Sequence, residues 1–372
     1  MEIPFHKPSI TAAEIKSVID TLKTGWLTMG PKTISFELAF RKYIGSDFAI
    51  SLNSATAGLH LSLNSIGVGK DDEVIVPTNT FVSTAEAVAY SGAKPVLCDI
   101  EPDHHNINTD IIESLITPKT KAIIPVHFAG NPCNMDQIFK IATSNNLRVI
   151  EDAAHALPTV YKDQMIGTVS DATCFSFYAT KTLTTGEGGM VTTNNLEIAN
   201  KIRLQRLHGI SGDAWNRYGK KNDWYYEVVD LGYKYNTTDL QASIGLVQLK
   251  KIEWMKEKRK KIAQKYIESF SGKIDFVKSL SNNQSSWHLF VIKIANRDQL
   301  YHKLKDAGIR TSVHFIPLHH HPYYKKKFGF DGSLYPVANN IYNKSLSLPI
   351  YPSLTEEEVD YIIKNVIKYA QN

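Results

Sequence analysis

Three short segments of the chain carry residues that could do chemistry together. Asp152 ends the apolar run in VIEDAAHA (149–156), and Lys181 lies in the Thr- and Gly-rich stretch FSFYATKTLTTGEGGM (175–190). The third segment, NSATAGLH (53–60), places hydroxyl side chains where an apolar stretch gives way to a helical pattern. A carboxylate can hold a protonated ring nitrogen, a desolvated lysine amine is a nucleophile, and a helix N-terminus binds anions. The segments therefore offer an acid, an amine and an anion site.

Each segment has a simpler interpretation when it is taken alone. The carboxylate could cap a helix, Ser54 and Thr56 could do the same, and a lysine in a Gly-rich turn is usually an ordinary surface residue. All three segments, however, lie at the ends of predicted strands, and the carboxyl ends of parallel strands meet at one edge of a sheet. Together they supply the phosphate site, the ring-nitrogen acid and the Schiff-base amine that pyridoxal 5'-phosphate (PLP) requires.

The elements that must position these segments alternate between strands and helices through the first two thirds of the chain. This rhythm predicts an α/β domain with a mostly parallel sheet. The predicted strands are Glu73–Pro77, Lys94–Ile100, Lys121–His127, Leu147–Ile150, Ala172–Tyr178 and Met190–Thr193. The predicted helices are Thr11–Leu22 with Thr11 as N-cap and Glu14 completing a capping box, Ser54–Ile66, Thr84–Tyr90 and Met135–Asn145.

The pattern of the sequence changes at Asp239. One long helical pattern runs from there to about Phe270, and we expect it to join a large domain (1–245) to a smaller C-terminal α+β domain (246–372). The smaller domain is predicted to contain a strand and two helices. These are the strand Trp287–Ile294 and the helices Asp298–Ala307 and Leu354–Tyr369.

Composition narrows the class of protein. The chain has 372 residues, 43% of them hydrophobic, and a formal net charge of +5, which fits an anionic small molecule as well as nucleic acid. We expect no nucleic-acid binding, because no helix-turn-helix with a basic face is evident, and no membrane span, because no run of roughly 18 apolar residues occurs. Three widely spaced cysteines without a CxxC motif favour a reducing, cytoplasmic location. The triplet His319–His321 has no partner cluster, so no metal site is predicted.

Beyond these local patterns, the chain resembles the DegT/StrS family of sugar aminotransferases almost from end to end. The resemblance implies the fold type I architecture of PLP-dependent transferases, with a mostly parallel seven-stranded sheet in the large domain. It is carried by the motifs quoted above and by GWLTMGPKTISFE (25–37), NSATAGLHLSL (53–63), GAKPVLCDI (92–100), LGYKYNTTDLQASIGLVQL (231–249) and HFIPLHHHPYY (314–324).

The resemblance implies roles for individual residues. Lys181 matches the lysine that binds PLP covalently and moves the proton, Asp152 the acid paired with the pyridine nitrogen, and His155 a position near the phenolic oxygen. Asn236 matches a residue that reaches the cofactor phosphate of the neighbouring subunit, which implies a homodimer with shared active sites. The remaining cofactor contacts that the resemblance implies are Ala55, Thr56 and Ser176 at the phosphate and Phe81 and Ala154 on the two ring faces.

The resemblance also implies a reaction. Related dehydratases carry histidine where this chain has Lys181, so transamination is expected, with glutamate as donor and 2-oxoglutarate as its product. The stretch TTGEGG (184–189) is similar to family members that act on 4-keto sugars, so the expected product is a 4-amino-4,6-dideoxy sugar on UDP or dTDP, for a surface polysaccharide such as lipopolysaccharide O-antigen. Amination of a 3-keto sugar, sugar dehydration and a PLP-binding regulator without turnover remain the alternatives.

Three residues are expected to contact the substrate. His314 and His319 belong to the HFIPLH stretch, which lines the sugar-nucleotide pocket in the family that the chain resembles. Tyr178 stands where many members acting on 4-keto sugars have histidine, and this departure leaves the exact sugar open.

Overall fold

A seven-stranded sheet forms the centre of the larger part of the molecule. The structure is a computed structural model that describes residues 1–211, 225–280 and 283–370. The first nine strands are β1 Phe48–Leu52, β2 Glu73–Pro77, β3 Lys94–Cys98, β4 Thr120–Ile123, β5 Arg148–Asp152, β6 Val160–Tyr161, β7 Gln164–Met165, β8 Ala172–Ser176 and β9 Gly189–Thr193. Seven of these make up the large sheet in the order β1-β9-β8-β5-β4-β2-β3.

The direction of the strands agrees with the prediction. The neighbours β8-β5, β5-β4, β4-β2 and β2-β3 are parallel, whereas β9 runs antiparallel to both β1 and β8. Apolar residues of the central strands are fully buried, because helices cover both faces of such a sheet. The predicted mostly parallel seven-stranded sheet is therefore confirmed.

In the described part of the chain, the helices that accompany this sheet are α1 Ala12–Lys23, α2 Pro31–Ile44, α3 Ala55–Ser65, α4 Ser83–Tyr90, α5 Met135–Ser144 and α6 Leu196–Gln205. The predicted capping box is present, since the Thr11 side chain accepts from the backbone of the first turn and Glu14 bonds back to the Thr11 N–H at 2.8 Å. Predicted and observed helix starts agree to within one residue for α1, α3 and α4, where Ser, Thr or a short turn marks the N-terminus.

The prediction of a single long helix from Asp239 to Phe270 is wrong about its continuity. The segment forms two helices, α7 Asp239–Lys250 and α8 Ile252–Phe270, with a break at Lys251, where φ is −112° and ψ is 11°. Helix α7 packs on α1 and α2, while α8 buries Tyr266 and Phe270 in a separate core. The two apolar stripes face different partners, so one straight helix could not bury both.

The second part of the molecule is α+β, as expected. Strands β10 Asp275–Phe276, β12 Phe290–Lys293 and β13 Ser345–Leu348 form an antiparallel sheet, and β11 Asn283–Gln284 pairs with β6. Its helices are α9 Arg297–Asp306, α10 Pro322–Phe328, α11 Pro336–Lys344 and α12 Glu356–Ala370. Ile3 bridges to Ile309 and joins the core of this part, and the domain boundary near residue 245 stays a prediction.

Strand β4 is shorter than the predicted strand Lys121–His127. It ends at Ile123, and residues 128–130 turn sharply, with Ala129 in the left-handed region at φ 58°. The chain keeps backbone hydrogen bonds to β5 as far as His127, through a parallel bridge between Val126 and Asp152. The turn then directs the backbone N–H of Ala129 toward His155 at the cavity. Among the described residues, no helix has the length and apolar character needed to cross a bilayer.

Candidate active site

The three segments singled out in the sequence meet at the carboxyl edge of the large sheet. They surround a cavity of about 480 Å³ that is closed on its other side by residues of the second part of the molecule and of the N-terminal segment. Parallel strands bring their carboxyl ends together, and a ligand site at this edge is the general rule for such sheets. The predicted site residues that line the cavity are Ala55, Thr56, Phe81, Asp152, Ala154, His155, Ser176, Tyr178, Lys181 and His314.

Asp152 is the acid at the end of β5. Its carboxylate is buried and accepts hydrogen bonds from the Thr84 hydroxyl at 2.8 Å and from the Ala154 backbone N–H at 3.1 Å. Burial raises the pKa of Asp152, while these hydrogen bonds and the positive charge of Lys181 act in the opposite direction. An ionised carboxylate at this depth is stabilised by a cation, and a protonated ring nitrogen is such a cation.

Lys181 lies in the turn that follows β8. Its backbone N–H bonds to the Tyr178 carbonyl at 2.9 Å, which closes the turn and leaves the side chain at the cavity wall. Burial lowers the pKa of Lys181 to about 8, against the opposing influence of the Asp152 carboxylate. Because an amine reacts only when it is unprotonated, this lysine is a competent nucleophile near neutral pH.

The anion site is built where β1 gives way to α3. Ser54 is the N-cap and accepts a hydrogen bond from the Ala57 N–H at 3.1 Å, while the first amides of the helix have no acceptor within it. Gly189 of β9 presses against this turn, and a Cβ there would lie 2.4 Å from the Ser54 carbonyl carbon and 2.6 Å from the Ala55 nitrogen. Ser176 pairs with Gly189 across the sheet, so β1, β8 and β9 together form this anion site, which we call the cradle.

His155 is held in one tautomer. Its Nδ1 accepts from the Ala129 N–H at 3.3 Å, so the proton of the neutral ring is on Nε2. The ring stacks on Phe315 with 5.7 Å between centroids and lies 4.4 Å from His288. Burial, together with the charge of Lys181, lowers the pKa of His155, so the ring is neutral and donates through Nε2.

His319 does not line the cavity, contrary to the expected substrate contact. It is fully buried, and its ring nitrogens bond to the Thr78 hydroxyl at 2.6 Å and to Asn339 Oδ1 at 2.8 Å. His320 shares the same Asn339 oxygen, and His319 ties α11 to Thr78, the residue after β2. Among residues 1–211, 225–280 and 283–370, no three His, Cys, Asp or Glu side chains gather as a metal site would require.

His314 and Asn236 differ in where the structure places them. His314 lines the cavity and bonds to the Ser347 hydroxyl at 2.9 Å, and burial followed by the charge of Lys181 lowers its pKa to about 3. Asn236 lies outside the cavity of its own chain. Its amide nitrogen donates to the Thr237 carbonyl at 2.9 Å, and its buried Oδ1 has no partner in the described part of the chain.

Several residues that line the cavity or support it were not identified from the sequence. Thr80 and Thr84 have the i, i+4 spacing that aligns two hydroxyls at a helix start, and this spacing was a usable signal. Phe315 belongs to the HFIPLH stretch that was expected at the pocket, although it was not singled out there. His6 and His288 come from distant parts of the chain, and nothing local in the sequence marks them.

Comparison with known proteins identifies the family to which the chain belongs. The family model described as the DegT/DnrJ/EryC1/StrS aminotransferase family matches residues 8–367. The chain belongs to this aminotransferase family. It is 52% identical to the uncharacterized protein MJ1066 of Methanocaldococcus jannaschii over 98% of this chain and 97% of that protein. It is 46% identical to the spore coat polysaccharide biosynthesis protein SpsC of Bacillus subtilis over 98% and 96% of the two chains.

Solved structures of family members extend the comparison to the cofactor. A protein described as a sugar aminotransferase, Spr1654 of Streptococcus pneumoniae, superposes in its PLP form with a TM-score of 0.94 at 36% identity, covering 100% of this chain and 99% of that one. Its PMP form superposes with a TM-score of 0.95. The expected fold type I architecture, PLP as cofactor and aminotransferase activity are confirmed. The buried acid, the low-pKa lysine and the helix-end cradle of this enzyme fit PLP as a set.

The cradle gives the first testable prediction. Gly189→Ala should weaken PLP binding by at least roughly tenfold, because its Cβ would push the backbone of Ser54 and Ala55 away from the phosphate. Gly69→Ala is the matched control, since a Cβ there meets no atom within 4 Å. Affinity is measured by titrating the apoprotein with PLP, and equal affinities for the two variants would show that the cradle does not depend on this close approach.

The second prediction concerns the pH dependence of cofactor attachment. With a pKa of about 8, the Lys181 amine is protonated below that pH and free above it, so the rate of PLP recombination should rise with a midpoint near pH 8. Asp152→Asn removes the negative charge that raises the lysine pKa, so its midpoint should fall. Stopped-flow absorbance gives both curves, and a midpoint near the ordinary lysine value of about 10.4 would contradict the prediction.

Proposed function

We propose that this enzyme transfers the amino group of glutamate to C4 of a 4-keto-6-deoxy sugar linked to UDP or dTDP, which yields a 4-amino-4,6-dideoxy sugar for a surface polysaccharide. The observation that carries the proposal is the place of Lys181, at the cavity wall with a pKa of about 8. A lysine there can accept and return a proton at the substrate carbon, and a histidine could not form the same bond to PLP. SpsC of Bacillus subtilis is described as a polysaccharide biosynthesis protein, which supports the proposed pathway.

The roles of the residues follow from their positions. PLP, when bound, supplies the electron sink that makes proton loss from the substrate carbon feasible. Asp152 would hold the positive charge at the ring nitrogen of PLP, and the N–H of His155 Nε2 would donate to an oxygen of the bound group. The Lys181 amine takes the proton at Nζ and delivers it back, which its near-neutral pKa permits in both directions.

The remaining predicted contacts surround these groups. Ala55, Thr56 and Ser176 are assigned to the phosphate, and Phe81 and Ala154 to the two faces of the ring. Tyr178 and His314 are assigned to the sugar, Tyr178 because it lines the cavity while almost half exposed, and His314 because its neutral ring faces the same space.

We further propose that two copies of the chain form a homodimer with shared active sites. Ile15, Ile19 and Leu22 make an exposed apolar stripe on α1, and Ile34 and Leu38 make a second one on α2. Both helices pack on α7, which starts three residues after Asn236. A second copy covering these stripes removes apolar surface from water, and it accounts for an Asn236 that does not serve the cavity of its own chain.

The state of the cysteines bears on the proposed location, and the retained lysine bears on the alternative reactions. The three cysteines are free and buried, which supports the proposed cytoplasmic location. Amination at C3, dehydration and a regulatory role without turnover predict different products from the same cofactor-bound protein. Product analysis therefore separates them, and the retained lysine favours transamination.

The third prediction tests the reaction. The purified protein should show a visible cofactor band that glutamate bleaches and that one 4-keto sugar nucleotide restores, with one 2-oxoglutarate formed per amino sugar. Lys181→Ala should abolish the restoration, because it removes the amine that moves the proton. A band that ignores glutamate would reject transamination, and restoration by a 3-keto sugar alone would reject the C4 assignment.

The fourth prediction tests the shared sites by complementation. Lys181→Ala and Asn236→Asp should each be inactive, the second because its carboxylate repels the partner's cofactor phosphate. Mixing them through reversible unfolding should restore about a quarter of the wild-type activity, since random pairing gives half heterodimers with one intact site each. Ile19→Glu should yield monomers by light scattering, whereas Val169→Glu, on an exposed residue of the loop before β8, should not. Failure of complementation in a confirmed dimer would show that each chain completes its own site.

A further inference from the structure

Two threonines form a chain of hydroxyls that ends on the Asp152 carboxylate. The Thr84 hydroxyl lies 2.8 Å from Asp152 Oδ2, and the Thr80 hydroxyl lies 2.8 Å from the Thr84 hydroxyl. Thr84 is completely buried and Thr80 is 1% exposed, yet Thr80 is part of the cavity wall. The chain therefore connects the surface of the cavity to the side of the acid that faces away from Ala154.

The local fold accounts for this placement. Residues 78–82 form the turn between β2 and α4, and Thr84 lies in the first turn of α4, where its N–H bonds to the Phe81 carbonyl at 3.2 Å. A spacing of four residues across this helix start puts both hydroxyls on one side. Strand β5, two strands from β2 in the sheet, presents Asp152 at the same edge.

The direction of the hydroxyl protons follows from the number of protons that each group can donate. Thr84 has one hydroxyl proton and donates it to the carboxylate, which can only accept while ionised. Thr80 must then donate its own proton to Thr84, so only its lone pairs face the cavity. Ionised Asp152 thus sets the polarity of the whole chain, and hydrogen bonds to a charged group are stronger than neutral ones.

Both carboxylate oxygens are fixed in this arrangement. The Ala154 N–H holds Oδ1 at 3.1 Å and the Thr84 hydroxyl holds Oδ2, so the plane of the carboxylate cannot rotate freely. Each oxygen keeps a lone pair for a further donor. A carboxylate without such support in a buried site would take up a proton, and it could then no longer hold a cation.

We propose that Thr84 is a positioning residue that keeps the Asp152 carboxylate ionised and oriented toward the ring nitrogen of PLP, and that Thr80 orients the Thr84 hydroxyl. This inference rests on the proposed role of Asp152. It assigns to Thr80, in the turn before α4, and to Thr84, in the first turn of α4, a function that neither packing nor helix capping requires, because a hydroxyl in a packed core has value only through its hydrogen bonds.

The test uses four variants: Thr84→Val, Thr84→Ser, Thr80→Val and the double variant with valine at both positions. Valine keeps the shape of threonine and removes the hydroxyl, while serine keeps the hydroxyl and removes a methyl group. The readouts are the dissociation constant for PLP and the pH midpoint of the visible cofactor band. Circular dichroism and the Tm of each apoprotein verify folding, and neither main readout needs glutamate or a sugar.

Thr84→Val should weaken PLP binding by roughly tenfold to a hundredfold, because the carboxylate that pairs with the ring nitrogen loses a hydrogen bond. It should also move the pH midpoint of the band upward: the band reports protonation of the lysine nitrogen joined to PLP, and the pKa of that nitrogen rises when the ring loses its positive charge. Thr84→Ser should stay within about threefold of wild type in affinity and keep its pH midpoint. Thr80→Val should shift both readouts in the same direction by less. In the Thr84→Val background, Thr80→Val should add nothing, since the link through which it acts is gone.

Three results would contradict the proposal. A serine variant as impaired as the valine variant would show that Thr84 acts through its methyl group, and unchanged readouts in well-folded Thr84→Val would show that Asp152 needs no such support. Additive effects in the double variant would reject the chain from Thr80. A wild-type protein that binds PLP normally but aminates no keto sugar would refute the proposed substrate and leave these readouts valid.

Discussion

The structure depends on a carboxylate buried at the edge of its central sheet. Asp152 is 4% exposed, and an ion at that depth costs free energy unless hydrogen bonds and a positive charge compensate. The chain supplies the hydrogen bonds through Thr84 and Ala154. In the role proposed for Asp152, the protonated ring nitrogen of PLP would supply the positive charge.

The same burial acts with opposite sign on the neighbouring bases. It raises the pKa of Asp152 and lowers those of Lys181, His155 and His314, because a low-dielectric site disfavours every charged form. The outcome is a cavity with neutral imidazoles and a lysine poised near pH 8. Removal of water thus has two effects. It makes a cation a favourable partner for the Asp152 carboxylate, and it keeps part of the Lys181 amine unprotonated, so that the amine can attack a carbonyl.

The sheet also separates two acids that are adjacent in sequence. Residues alternate between the faces of a strand, so Glu151 points away from the cavity, where it bonds to His127 at 2.7 Å and to Thr173 at 2.9 Å. Glu151 is a structural ion in the interior, and Asp152 lines the cavity. The pattern of the sequence located the pair, and the pairing of β5 with its neighbours decided which acid faces the ligand.

The sequence by itself determined the parts of this enzyme that depend on local spacing. The strand–helix alternation, the Thr11 capping box, the loop of Lys181 and the acid after β5 were all readable, because each is a pattern within about ten residues. Tertiary structure alone decided the break at Lys251, the burial of His319 against Asn339, and the presence of His6 and His288 at the cavity. These features depend on contacts between residues far apart in the chain. A local pattern shows that a side chain will be buried, but it does not show which distant residue the side chain will contact.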